Sequence, residues 1–563
     1  MSNVCQCDLD TAALWVDRRE LLSAVFATSL SGCVRRSAQI VTAAGDPAAI
    51  GDAHVHLFNG ADLPVSGFFK NVLIPNRLAD WPNIALSLID MALNVLQASS
   101  KTAIDELREL SVGLVASPEL SAAEFARRVA ARADSVMRGA VNASATADPR
   151  HNLADSYAAL ADLIDHVGRG KGGRPQGKVR DFGPPRGRTE INTRVLAYIA
   201  ENGAAGFTQE DRDLLGMSLG EVLAIIAWAF RMTHSRRGHL HEYLRDMSSS
   251  AARPTELINL LVDYDLWLDD RPLAGSDHSD QVRFWTRYAQ TTANDVRIHT
   301  FAGFDPLKHA FEKRKGSTSY LDERKRWALG SDPERQIAGF KLYPPMGFSV
   351  WKDEPFPSTS GRAAAIVENR WKQNGWDPQD IPGHIDDALD DLFAFTTKYD
   401  IPLLAHGRNS EEAFVGAGLR AHPKYWLARA RSLPPTPGRA PLRACVAHYR
   451  REFNAGGVVR DILDLNLAGA ANIYFDFAFE EEVLDGTDAD QLLADIAAIC
   501  SNDPRRARYF MYGSDWIMLA QLPHANRYLH DFDAAIRRSR FWAAQRQDVL
   551  AGNLRRFLRL APA

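Results

Sequence analysis

The sequence predicts a (β/α)8 TIM barrel with a large, mostly helical insertion after the first strand. Three observations predict it: eight short apolar segments alternating with helical patterns, no Gly-X-Gly-X-X-Gly turn after any of them, and ionisable residues at their ends. The first segment is IGDAHVH, Ile50 to His56. After residue 250 come LINLLVDYD (Leu257 to Asp265), VRIHTFAGFD (Val296 to Asp305) and IAGFKLYPP (Ile337 to Pro345). IPLLAHG (Ile401 to Gly407), RACVAHY (Arg443 to Tyr449), NIYFDFAF (Asn472 to Phe479) and ARYFMYGSD (Ala507 to Asp515) complete the set. Helical patterns such as HIDDALDDLFAFTTKYD lie between them, and such alternation marks a parallel sheet. A doubly wound sheet is the alternative, and it lacks its phosphate-binding glycine turn here.

From about residue 60 to 250 the chain reads as helix. NIALSLIDMALNVLQ and LADSYAALADLIDHV repeat apolar residues at spacings of three and four. Between helical stretches, Gly168 to Arg188 is rich in glycine, proline and arginine and reads as a surface loop. The domain plan is therefore a leader at 1–33, a linker at 34–49, a barrel from 50–60 and 251–563, and an insertion at 61–250. The insertion leaves on the strand-1 loop, hence on the catalytic face. It is expected either to cap the mouth, with Phe68 and Phe69 as walls, or to form a satellite layer or dimer surface. On the same face the strand-4 loop, MGFSVWKDEPFPSTSGR, offers Phe348 and Trp351 as pocket walls.

Composition narrows the class. Hydrophobic content of 46% and charged content of 24% are those of a soluble globular protein, and a net charge of −4 gives no field that favours nucleic acid. A small-molecule substrate is the expected partner, with homo-oligomerisation left open. Five cysteines without a Cys-X-X-Cys pair exclude a disulfide framework and a thiolate zinc site, and Cys445 and Cys500 read as inert buried thiols. The N-terminus has Arg18 and Arg19, an apolar run from Leu21 to Leu30, and Leu-Ser-Gly-Cys ending at Cys33. It resembles a twin-arginine signal with a lipobox, which implies export to the periplasm and a lipid anchor on Cys33. Asp8, Asp10 and Asp17 depart from that pattern, so a cytoplasmic chain with a frayed N-terminal helix is the alternative.

In a barrel of this kind, chemistry sits at the C-terminal ends of the strands. Strand 1 ends in His54 and His56, strand 4 carries Lys341, strand 5 ends at His406, strand 6 at His448 and strand 8 at Asp515. Residues two apart on a strand share a face, so His54 and His56 aim two imidazoles at one point. Asp52 shares that face, as support beneath the site or as a structural cap. Imidazole and carboxylate together suit a divalent zinc, manganese or iron ion with a position left open for water.

DAHVH, GFKLYPP, LLAHG, CVAHY and YGSDW, in that order, resemble the amidohydrolase superfamily, most closely its amidohydrolase-related branch of aminocarboxymuconate-semialdehyde decarboxylase type. HPKYW after strand 5 and the closing GNLRRFLRL are similar to that branch too. The resemblance covers about residues 50–60 and 255–560. It implies one metal, zinc first among candidates, held by His54, His56, His406 and Asp515, with His448 beside it as acid/base or electrophile. It also leaves open a second metal, bridged by a carboxylated Lys341 and shared with His448; otherwise Lys341 meets a substrate carboxylate as a point charge. Arg408, Arg450 and Trp516 are candidate substrate contacts. The expected activity is hydrolysis of a C–O or C–N bond, with Asp515 moving the proton and His448 polarising the carbonyl. Nonoxidative decarboxylation on the same barrel is the first alternative, and a non-catalytic, lipid-anchored binding protein the second.

Overall fold

The structure is a computed structural model that describes residues 48–68, 96–111, 228–249, 252–268, 275–291, 296–353, 362–408, 416–484, 486–521 and 525–561, with a few single positions between. The leader with Cys33, the basic loop at 168–188 and Phe69 lie outside the described residues. Eight strands follow in chain order: β1 (Ala48–Val55), β2 (Ala252–Leu260), β3 (Arg297–Gly303), β4 (Gly339–Leu342), β5 (Leu403–Ala405), β6 (Leu442–Val446), β7 (Ala471–Asp476) and β8 (Phe510–Met511). They form one sheet in the order β1 to β8, and every neighbouring pair is parallel. The sheet closes where a parallel bridge joins Val55 to Trp516 and the Ala53 N–H donates to the Tyr512 carbonyl at 2.9 Å. This is the (β/α)8 barrel expected from the sequence.

The strand boundaries differ from those of the apolar segments, and two of the differences are informative. β2 begins at Ala252, ahead of Leu257, because Ala252, Arg253 and Pro254 pair with Ala48, Ala49 and Ile50 of β1. These residues alternate buried and exposed, so the missed signal was a period of two rather than an apolar run. At the other end, the ladders stop before the polar residues. His406 lies one residue past β5, and Asp515 lies on the turn after β8.

Helices cover the outside, and one plugs the base. Ala53, Ile258, Leu260, Phe301, Leu404, Cys445, Tyr474 and Met511 form a cluster with Leu554 and Phe557, which come from the C-terminal helix Asn553–Leu558. Alternation along the strands makes this the barrel interior, a packed core rather than a channel. Cys445 and Cys500 are both buried free thiols. Gly407 marks a close approach: a Cβ there would stand 2.4 Å from the Ala447 carbonyl oxygen, so only glycine lets the β5 and β6 ends meet.

Two described helices of the insertion region, α1 (Ala103–Ser111) and α2 (Arg236–Asp246), are tied to the strand-1 loop. The buried Arg236 guanidinium pairs with Asp62 and with Glu106 at 2.7 Å, and donates to Ser276 at 2.8 Å. An unpaired guanidinium could not be buried at this depth. The strand-4 loop is likewise pinned. Arg420 donates to the Gly347 carbonyl and Arg429 to the Val350 carbonyl, each at 2.7 Å. Phe348 is buried against Trp267 in the core, and Trp351 lies under Arg429 at 5.0 Å.

Asp353 of that loop is buried and accepts the Ser349 N–H at 2.5 Å. Burial pushes its pKa up to about 8, against the pull of Ser349 and Arg420. A carboxyl whose pKa rises on folding holds a proton in the folded chain that the unfolded chain has lost. Stability therefore falls as pH rises from about 4 to about 8, at up to ~1.4 kcal/mol per unit. In Asp353→Asn the gain in Tm over the parent should be near zero at the acid end and several degrees at the alkaline end. Thermal melts across that range check this, and an equal difference at both ends would contradict it.

Candidate metal centre

β1 delivers His54 and His56, and the chain around them is fixed before the rings are. The buried Asp52 carboxylate accepts the His54 N–H and the Ser514 N–H, both at 3.0 Å, and the Tyr243 hydroxyl at 3.0 Å. It thus ties β1 to the turn after β8 and to α2, the structural one of its two expected roles. The Asp515 N–H then donates to the His54 carbonyl at 2.7 Å.

Each ring is oriented through its Nδ1. His56 Nδ1 donates to the Leu260 carbonyl at 2.8 Å, and His448 Nδ1 to the Ala478 carbonyl at 2.9 Å. A carbonyl only accepts, so the neutral rings carry their proton on Nδ1 and a lone pair on Nε2. His54 Nδ1 faces the Asp476 carboxylate at 3.1 Å. On the other side of these rings, Asp515 Oδ1 stands 3.6 Å from His54 Nε2 and 3.4 Å from His56 Nε2. Among the described residues, Asp515 Oδ1 and His448 Nε2 are buried without a hydrogen-bond partner. Native interiors rarely leave such atoms unsatisfied.

Electrostatics describes a cavity that penalises uncompensated charge. Burial holds His54, His448 and His406 well below the usual imidazole range and pushes His56 down to about 3, so the rings are neutral, the form that binds metal. Burial also drives the Asp515 carboxyl well above its usual range, against the attraction of Lys341. Lys341 itself is pulled down to about 8 by burial, against Asp515 and Asp476, and its Nζ lies 3.3 Å from His54 Nε2. Neutral imidazoles and a carboxylate with one oxygen that accepts no hydrogen bond among the described residues are a donor set that a divalent cation would complete.

Backbone strain marks the same place. His448 and Asp515 hold left-handed φ values of 57° and 55°, a conformation that non-glycine residues adopt at a cost of order 1–3 kcal/mol. Surrounding bonds impose it: the His448 N–H is held by Asp476 at 2.8 Å and the Asp515 N–H by the His54 carbonyl at 2.7 Å.

Among the described residues two groups place three donor atoms within 4.8 Å of one another: His54, His56 and Asp515, and His54, His448 and Asp476. The first is the stronger, because an oxygen of Asp515 lacks a hydrogen bond while both oxygens of Asp476 are engaged. His406 belongs to neither group, yet its ring is 4.5 Å from that of His448 and 4.6 Å from that of Tyr343. Arg408 lies over the Phe479 ring at 5.1 Å, and Arg450 pairs with Glu482 at 3.1 Å and Glu480 at 3.5 Å. Trp516 is fully buried, edge-on to Tyr243, with its Nε1 3.4 Å from Asp246. Sequence reasoning missed Asp476. Its signal was a carboxylate that ends the run Ile473 to Phe475, on the same face as the interior Tyr474.

Fold and site together define a (β/α)8 barrel whose strand ends carry residues able to hold a metal ion. No family model matches the chain, and no curated protein matches it. An apo crystal structure of an Agrobacterium tumefaciens protein aligns with 55% of this chain and 82% of that one, at 14% identity and a TM-score of 0.27. That likeness is too low to bear on activity.

The donor set predicts a clear metal phenotype. After dialysis against zinc and then buffer, the parent should keep bound metal, and His54→Gln/His56→Gln should lose nearly all of it while keeping the parent's circular dichroism. Elemental analysis decides, and equal metal in both proteins would remove these histidines from the site.

Proposed function

We propose that this chain is a metal-dependent hydrolase of the amidohydrolase-related kind, cleaving a C–O or C–N bond of a small organic substrate such as a lactone, ester or amide. The observation that carries the reading is the buried Asp515 oxygen, without a hydrogen bond among the described residues, facing the Nε2 atoms of His54 and His56. The ordered motifs from DAHVH to YGSDW support the same branch. A divalent ion held there, zinc by preference, supplies Lewis acidity and a water acidic enough to react near neutral pH.

The chain's own groups divide the rest of the work. Asp515 takes the proton from the attacking water on its carboxylate and returns it to the leaving group. His448 has given its one N–H to the Ala478 carbonyl, so its neutral ring meets the substrate with a lone pair. It therefore accepts a proton or a ligand bond, in place of the carbonyl polarisation expected from the sequence. Lys341 is the buried cation beside the ligands and offsets negative charge developing on the substrate. One metal is preferred; two equivalents in the parent, falling to one in Lys341→Ala, would replace this by a two-metal site.

A panel of lactones, esters and amides, followed by appearance of the new carboxylic acid, tests the reading. Metal-loaded Asp515→Asn should lose about 10²- to 10⁴-fold in kcat, the usual worth of a general acid–base. Full activity in that variant would strip Asp515 of its role. Carbon dioxide released without a new acid would make the protein a decarboxylase instead.

A further inference from the structure

We propose that Asp476 is the positioning residue of this centre: one carboxylate that fixes the tautomer of His54 from β7 and sets the turn that presents His448. The geometry stands without a metal; the consequence for metal binding rests on the reading above.

Asp476 is completely buried, and four donors converge on it. Oδ2 faces His54 Nδ1 at 3.1 Å and the Cys445 thiol at 3.6 Å. Oδ1 accepts the His448 N–H at 2.8 Å and the Ala478 N–H at 3.1 Å. A carboxylate has about four lone-pair positions, and these contacts use them all. Asp476 is therefore filled as an acceptor and does not coordinate.

The tautomer follows from both sides of the His54 ring. A carboxylate oxygen only accepts, so Nδ1 carries the proton. The Lys341 ammonium, 3.3 Å from Nε2, only donates, so Nε2 carries the lone pair. Nε2 is the atom that faces Asp515. With a metal on Nε2 the arrangement would be a carboxylate–histidine–metal relay, in which an outer carboxylate fixes ring orientation and raises ligand basicity. It also joins the two candidate donor groups: Asp476 reaches His54 through its ring and His448 through its backbone, where φ is left-handed.

Asp476→Asn separates these roles. The amide Oδ1 still accepts the His448 and Ala478 N–H groups, while an NH2 now faces His54 Nδ1. That forces Nδ1 to accept and moves the proton to Nε2, the ligand atom. Zinc affinity, read by competition with a chromophoric chelator, should fall about 10- to 100-fold with the circular dichroism unchanged. Affinity equal to the parent's would overturn the positioning role.

A second measurement needs no metal and no substitution at Asp476. Imidazole ¹⁵N spectra of the metal-free parent, with the His54 signals assigned by their loss in His54→Gln, should show a protonated Nδ1 and an unprotonated Nε2. The opposite pattern would overturn the proposal even if the protein binds zinc. The expected pattern in a protein that binds no zinc would uphold the role of Asp476 and sink the metal reading instead.

Discussion

Everything at the mouth of this barrel depends on where three imidazoles put their protons. Acceptors behind the rings take Nδ1: a strand carbonyl for His56, a loop carbonyl for His448, and a buried carboxylate for His54. Each ring is thereby left with its Nε2 lone pair in the cavity. Without those acceptors the rings could turn or exchange tautomers, and the cluster would be buried histidines without a chemistry. Burial then keeps them neutral, and the same burial makes an ionised Asp515 costly.

The barrel makes that arrangement possible because strands distant in sequence end at one level. The β8–β1 seam is the critical join. Asp52 holds the backbones of His54 and Ser514 together, and Asp515 bonds back to His54, so candidate ligands 461 residues apart are separated by one strand spacing. Strain at His448 and Asp515 is the local cost of turning these side chains inward, and it is offset by bonds that reach across strands.

Much of this was legible in the sequence. The eight strands, their parallel order and the two histidines of DAHVH follow from periodicities and from ionisable residues beside apolar runs. Lys341, His448 and Asp515 stood out for the same reason: an ionisable group beside an apolar run is costly without a partner. What sequence hid is anything defined by a partner across the barrel. Asp476 sits in NIYFDFAF like any polar residue in a strand, and only the fold puts it against His54 and His448. Tyr243 reaches Asp52 from α2, beyond any local pattern. Arg450, two residues past His448, reads as a candidate substrate contact, and only the fold places Glu480 and Glu482 beside it. His448 was readable only as acid, base or electrophile, because which of its ring nitrogens carries the proton turns on a single carbonyl, that of Ala478.

Anomalous diffraction from crystals grown with zinc, recorded on both sides of the zinc absorption edge, tests the central claim most directly. The account predicts a peak about 2.0–2.2 Å from His54 Nε2, His56 Nε2 and an Asp515 oxygen, with Asp476 still on His54 Nδ1 and outside the coordination sphere. A peak coordinated by Asp476, or zinc bound only away from the strand ends, would contradict it.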